Sequence, residues 1–158
     1  RAWFPISMQV LEQAMLEGKD AVYEKLIPDG MESAITALID LIDELKIEPS
    51  NLILVGFSQG SMILSHLATR VLDQPVGGLV LLSSSLMAAQ LMEKQDFSLD
   101  ILQTHGLQDQ VLPFNGAKML EGKLASIGHF VDFVPFQGGH EIPIEVIKKI
   151  NEYLKRRC

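Results

Sequence analysis

Cysteine is almost absent from this chain: Cys158, the last of 158 residues, is the only one, so no internal disulfide can form and no chemistry is assigned to it. A reducing, cytoplasmic setting is expected. Basic charge is also scarce, with 13 Lys and Arg against 20 Asp and Glu. The resulting formal charge of −7 argues against nucleic acid or an anionic membrane surface as a standing partner. No apolar run reaches the roughly 18 residues that a membrane-spanning helix needs. There is no internal repeat, low-complexity tract, metal-ligand cluster or phosphate-cradling glycine loop, so neither a metal nor another cofactor is expected.

What is present is a core-forming composition, with 47% hydrophobic and 21% charged residues over a length that buries a real interior. One globular domain spanning residues 1–158 is expected. Leu52–Phe57, Leu79–Leu82, Ile101–His105 and Val131–Phe136 are short runs rich in Val, Ile, Leu and Phe, the pattern of buried parallel strands. Before, between and after them, Glu32–Leu45, Ser61–Val71, Gly116–Ser126 and Ile144–Lys155 carry apolar residues at helical spacing, and the Gln9–Leu26 segment reads as a further helix, in a cap insertion. In the first of these, Ala34, Leu38, Leu41, Ile42 and Leu45 are expected to share the buried face. Such alternation predicts an α/β fold: a doubly wound, mostly parallel sheet with its site at the carboxyl ends of the strands.

The most informative string is G-F-S-Q-G from Gly56 to Gly60, lodged between an apolar strand and a helix. A serine on a sharp strand-to-helix bend adopts a strained backbone angle, and side-chain-free neighbours let the bend close. The bend exposes the Ser58 hydroxyl as a nucleophile. It also leaves the Gln59 amide unpaired at a helix N-terminus, where it can face a negatively charged oxygen. A base and an orienting acid are then expected in the order serine, acid, histidine, each on a loop after a strand.

Asp109 meets that description in the polar loop between His105-Gly106 and Pro113, and His140 meets it directly after Gly138-Gly139. Other residues fit less well. Ser83, Ser84 and Ser85 follow a strand but no glycine comes next, so they read as loop or pocket lining. His105 at a strand end reads as structural, bonding a backbone group; His66 within a helix and His129 before a strand read as packing or surface. Asp132 lies inside a strand, Asp96 and Asp100 precede one, and Glu141 adjoins His140, so its side chain is expected to point away.

The chain resembles the phospholipase/carboxylesterase group of the α/β-hydrolase superfamily, which includes the acyl-protein thioesterases. The resemblance rests on Ala2-Trp3-Phe4, on Pro49-Ser50-Asn51 leading into G-F-S-Q-G-S, on H-G-x-x-D-x-x-x-P from His105 to Pro113, and on Gln137 to Ile142. It implies a cytosolic esterase, monomeric or homodimeric, acting on short acyl esters, thioesters or lysophospholipids. It further implies that Trp3, Phe4, Ser85, Leu86 and Val111 border the acyl site, although ordinary packing suits each of them as well. Leu86-Met87 and Met92 supply an apolar, flexible stretch that suits an acyl chain or a buried helix.

One departure stands out. Members of this group carry early strands and a histidine-glycine loop that supplies a second oxyanion donor, and this chain opens without them. The expectation is therefore a C-terminal portion of a longer polypeptide that lacks one donor, a loss of about 2.7–4 kcal/mol in transition-state stabilisation. Outside enzymes, the alternative is a non-catalytic module that binds a small hydrophobic ligand on the same fold.

Overall fold

The structure, a computed structural model, describes residues 2–5 and 19–157. Four strands, β1 (Ile53–Phe57), β2 (Gly78–Leu82), β3 (Asp100–Gly106) and β4 (Phe130–Phe136), form one sheet in the order β1-β2-β3-β4, with every neighbouring pair parallel. The helices are α1 (Lys19–Lys25), α2 (Met31–Leu45), α3 (Gln59–His66), α4 (Phe114–Ser126) and α5 (Ile144–Lys155). Of the helix expected over Gln9–Leu26, α1 is the described part; residues 9–18 and Cys158 lie outside the described residues.

Strand parity divides the core. Leu79, Leu81 and Ile101 point to one face, where they pack with Ile35 of α2, Ile63 and Leu67 of and after α3, and Leu120 and Leu124 of α4. Val80, Leu82 and Leu102 point to the other face and meet Val146 and Tyr153 of α5. With apolar layers on both sides, β2 is buried from end to end, which is why it reads as a continuous hydrophobic run. Tyr153 also carries a polar link through this layer: its hydroxyl accepts the Leu79 N–H at 2.9 Å and donates to the Asp100 carbonyl.

Two helices differ from the sequence expectation. On α2 the packed stripe is Met31, Ala34, Ile35, Leu38, Ile39 and Ile42, while Leu41 and Leu45 fall on its outer flank and remain half exposed. The stripe advances by three and four residues from Met31, and the leucines seven residues after Ala34 and Leu38 drift off it. The helix expected over Ser61–Val71 begins at Gln59 and changes character after His66, continuing as a π-helical turn over Leu67–Val71, with the Leu72 N–H bonding the Leu67 carbonyl. Buried hydroxyls load this stretch, since Ser65 donates to the Met62 carbonyl at 2.7 Å and Thr69 to the Ser65 carbonyl at 2.8 Å. Such back-bonding competes with the regular ladder and accompanies widened turns.

The register aligns the carboxyl ends. Phe57 is level with Leu82, and Gly106 with Phe136. The segments that begin with Ser58, Ser83, Leu107 and Gln137 therefore leave the sheet along one edge, where open α/β sheets place their sites.

Candidate active site

Ser58 occupies the bend between β1 and α3 with φ 55° and ψ −122°, a conformation that L-residues rarely adopt. Neighbouring bonds hold it there. The Ser58 N–H donates to the Leu82 carbonyl at 2.9 Å, and the Ser58 carbonyl accepts Ser61 N–H, Met62 N–H and the Ser61 hydroxyl. Gly56 is required by space rather than by its own angle: a Cβ there would lie 2.6–2.7 Å from the backbone of Gly60 and Ser61, where α3 crosses back over β1. The N–H groups of Gln59 and Gly60 precede the first intrahelical bonds and have no carbonyl within α3 to receive them.

The loops after β3 and β4 are locked together. A Cβ on Gly106 would fall 2.2 Å from the Gly139 carbonyl oxygen and 2.5 Å from that of Gly138, so the two chains touch main chain to main chain. Leu107 N–H bonds the Phe136 carbonyl and Gln108 N–H the Gly138 carbonyl, each at 2.9 Å, while the Gln108 side chain takes the Gly138 N–H at 2.8 Å. This contact delivers Asp109 to His140.

Asp109 is 8% exposed, and its Oδ1 accepts the N–H groups of Val111 and Leu112, both at 2.8 Å. Its Oδ2 lies 2.7 Å from His140 Nδ1. A carboxylate there can only accept, so Nδ1 carries the proton and Nε2 is left to accept the Ser58 hydroxyl, whose oxygen is 2.9 Å away. The three side chains thus meet across 82 residues of sequence, and the Phe57 ring packs beside the imidazole with centroids 4.8 Å apart. Glu141 turns its carboxylate to the Gly139 N–H at 3.2 Å.

The remaining histidines are buried. His66 Nε2–H donates to the Met87 carbonyl at 2.8 Å, and burial lowers its pKa to about 4, with Arg70 adding to the depression. His129 accepts the Leu99 N–H through Nδ1, and burial lowers its pKa as well. His105 donates to the Leu112 carbonyl at 2.9 Å, in keeping with the backbone-bonding role expected of it, and it also lies 3.4 Å from Asp109 Oδ2. Among the described residues no group of three or more His, Cys, Asp or Glu is arranged to hold a metal ion.

The pocket candidates part company. Trp3 is 47% exposed and lines an apolar groove of about 300 Å³ with Leu38, Leu54, Gly56, Phe57 and Leu64, beside the bend. Phe4 and Leu86 are buried in the core together with Met87 and Met92, Ser85 is buried, and Val111 is half exposed. A feature that sequence reasoning missed ties the first segment to the bend. The Gln59 carboxamide accepts the Trp3 N–H and donates to the Phe4 carbonyl, both at 3.2 Å. A lone glutamine in a turn motif carries no signal of such a distant partner.

A parallel sheet flanked on both faces by helices, with a serine on a strained bend at its carboxyl edge, is an α/β-hydrolase fold. Solved structures agree. Esterase PE8 shares 25% identity over 99% of this chain and 70% of its own, with a TM-score of 0.75. SOBER1 from Arabidopsis thaliana matches at 24% identity over 81% of this chain and 64% of its own (TM-score 0.70), and the Bacillus cereus carboxylesterase at 18% over 85% and 66% (TM-score 0.74). A search of curated protein sequences finds no match. The profile of the phospholipase/carboxylesterase family matches residues 1–157, and the chain belongs to that family. Family and neighbours together support a hydrolase. No helix among the described residues is long and apolar enough to cross a membrane.

Proposed function

We propose that the protein is a serine hydrolase that cleaves small carboxylic esters through an acyl-enzyme on Ser58. One observation carries this reading: His140 bonds Ser58 Oγ at 2.9 Å with one ring nitrogen and Asp109 at 2.7 Å with the other, while Ser58 is held at a positive φ. As Ser58 Oγ attacks the ester carbonyl, His140 Nε2 takes its proton. Asp109 holds the ring in the Nδ1–H tautomer and stabilises the imidazolium. The oxyanion of the tetrahedral intermediate faces the Gln59 N–H, a donor fixed before the reaction and reinforced by the α3 dipole. His140 then passes the proton to the leaving oxygen, the alcohol departs, and water repeats the sequence on the acyl-enzyme to release the acid and restore Ser58.

A fluorophosphonate probe tests the reading directly. The expected result is a single covalent adduct on Ser58 in the wild-type protein, none in Ser58→Ala, and loss of p-nitrophenyl ester hydrolysis in His140→Ala with the circular dichroism spectrum unchanged. Labelling that persists in Ser58→Ala would rule out this nucleophile. Running the same assay with acyl thioesters and lysophospholipids assigns the leaving group, and a chain-length series assigns the acyl part.

A further inference from the structure

Asp109 is held by more than the hydrogen bond to His140. Its side chain is fully buried, as is the ring of His105 at the end of β3. His105 Nε2 lies 2.9 Å from the Leu112 carbonyl oxygen and 3.4 Å from Asp109 Oδ2. Both neighbours are acceptors, so Nε2 bears the proton; its N–H bonds the Leu112 carbonyl, and Asp109 Oδ2 lies close to the same nitrogen without a second hydrogen bond. The Phe114 ring at the start of α4 stands edge-on to the imidazole, with centroids 6.1 Å apart, and keeps it from tilting away.

Counting donors around the carboxylate shows what this adds. Oδ1 receives two backbone N–H groups, from Val111 and Leu112; Oδ2 receives His140 Nδ1–H at 2.7 Å and has the dipole of His105 Nε2–H 3.4 Å away. A carboxylate offers about four acceptor sites, and here three take hydrogen bonds while the His105 N–H dipole stands beside the fourth. Leu112 is bonded at both ends of its peptide, by N–H to Asp109 and by carbonyl to His105. Without the His105 N–H, the Leu112 carbonyl loses a buried partner, the Asp109 turn keeps only its Asp109 N–H link to the Gly106 carbonyl of β3, and Oδ2 faces no donor besides His140. Because burial lowers the pKa of His105, the ring stays neutral and orients the carboxylate as a dipole rather than competing with His140 as a second cation.

We propose that His105 is a positioning residue for the hydrolase chemistry: its Nε2–H anchors the Leu112 carbonyl, Leu112 in turn holds Asp109 Oδ1, and the His105 N–H dipole beside Oδ2 keeps that oxygen aimed at His140. The proposal rests on the reading of Ser58, Asp109 and His140 as the reacting set. It differs from a packing role, which any side chain of similar volume would serve.

The test compares His105→Gln, whose amide N–H can occupy the place of Nε2–H, with His105→Leu, which fills the space without a donor. Each is assayed for kcat and KM on a p-nitrophenyl ester, and the low-field proton resonance of the His140–Asp109 hydrogen bond is recorded by NMR. His105→Leu is expected to lose about 10-fold or more in kcat, a fraction of the roughly 10⁴ that a misoriented imidazole costs in a serine triad. Its KM stays within about twofold, because the acyl site is untouched. Its low-field resonance broadens or moves upfield, whereas His105→Gln keeps both kcat and the resonance close to wild type. Equal behaviour of the two variants, in kcat and in resonance, would overturn the proposal. Should His105→Leu not fold, His105→Asn takes its place, since its shorter amide falls short of Leu112: a loss in Asn that is absent in Gln supports the proposal, and no difference refutes it. Failure of the underlying reading looks different, because the wild-type protein itself would then be inert to ester and fluorophosphonate.

Discussion

His66 makes the protein sensitive to acid in a way that one substitution isolates. The ring is fully buried at the end of α3, donates to the Met87 carbonyl, and titrates at about 4 instead of near 6.5. Below pH 6.5 the unfolded chain takes up a proton at this position that the folded protein refuses down to about pH 4. The stabilisation is therefore present above 6.5 and lost as the pH falls toward 4. Linkage gives at most about 1.4 kcal/mol for each unit of pH in that window, so acidification from pH 7 to 5 costs about 2 kcal/mol through this residue alone. The perturbation is His66→Gln, which removes the titrating group while its amide N–H can still reach Met87. His105 and His129, which burial also depresses, remain in both proteins and cancel in the comparison. The Arg70–Glu32 pair beside His66 likewise stays in both. Urea unfolding followed by circular dichroism at pH 7, 6 and 5 should show the wild-type protein losing about 2 kcal/mol more than the variant over that range. Parallel stability profiles would refute the account of His66 as a neutral buried imidazole.

Other substitutions probe the bend and the sheet. Gly56→Ala drives a methyl group into the backbone of α3 and should cost at least about 1–3 kcal/mol while abolishing covalent labelling of Ser58, read from thermal melts and mass spectrometry. Gly60→Ala is the contrast, because its nearest neighbour is Trp3 Nε1 at 3.5 Å; its stability should stay level or rise by up to about 1 kcal/mol of helix propensity, seen as an unchanged or higher melting temperature. Tyr153→Phe removes the hydroxyl that joins Leu79 to Asp100, stranding a buried N–H, and should lose about 1–3 kcal/mol in denaturant unfolding without changing ester turnover.

Strand β2 was legible because burial on both faces leaves little room for anything but Val, Ile and Leu, and Leu79–Leu82 is such a run within Gly78–Leu82; β1 and β4, expected as buried strands on the same grounds, stand at the two ends of the described sheet and are only partly covered, with Val55 51% exposed. Helix α5 was legible for the opposite reason, since a one-sided helix writes a clear period. The positions of Ser58, Asp109 and His140 could be read because each stands just past a strand and beside a glycine or polar loop, and these signals are local. What stayed hidden depends on burial or on distance in sequence. The π turn after His66 accompanies hydroxyls that bond carbonyls three and four residues back where burial denies them solvent, and the span of Gln59 to Trp3 and Phe4 crosses more than 50 residues. His105 looked merely structural, since a strand-end histidine reveals one backbone bond and not the carboxylate behind it. The two glycines around Ser58 looked equivalent in sequence, yet only Gly56 is crowded by main chain.

The main-chain seam at Gly106, Gly138 and Gly139 makes proton acceptor and counter-ion travel as one rigid piece, while the hydroxyl rides on a different strand two places away. Breathing of the sheet between β1 and β3 would stretch the Ser58–His140 distance and spare the 2.7 Å bond to Asp109. In the proposed mechanism, loosening this molecule therefore silences the attack step first and leaves a preassembled base behind it.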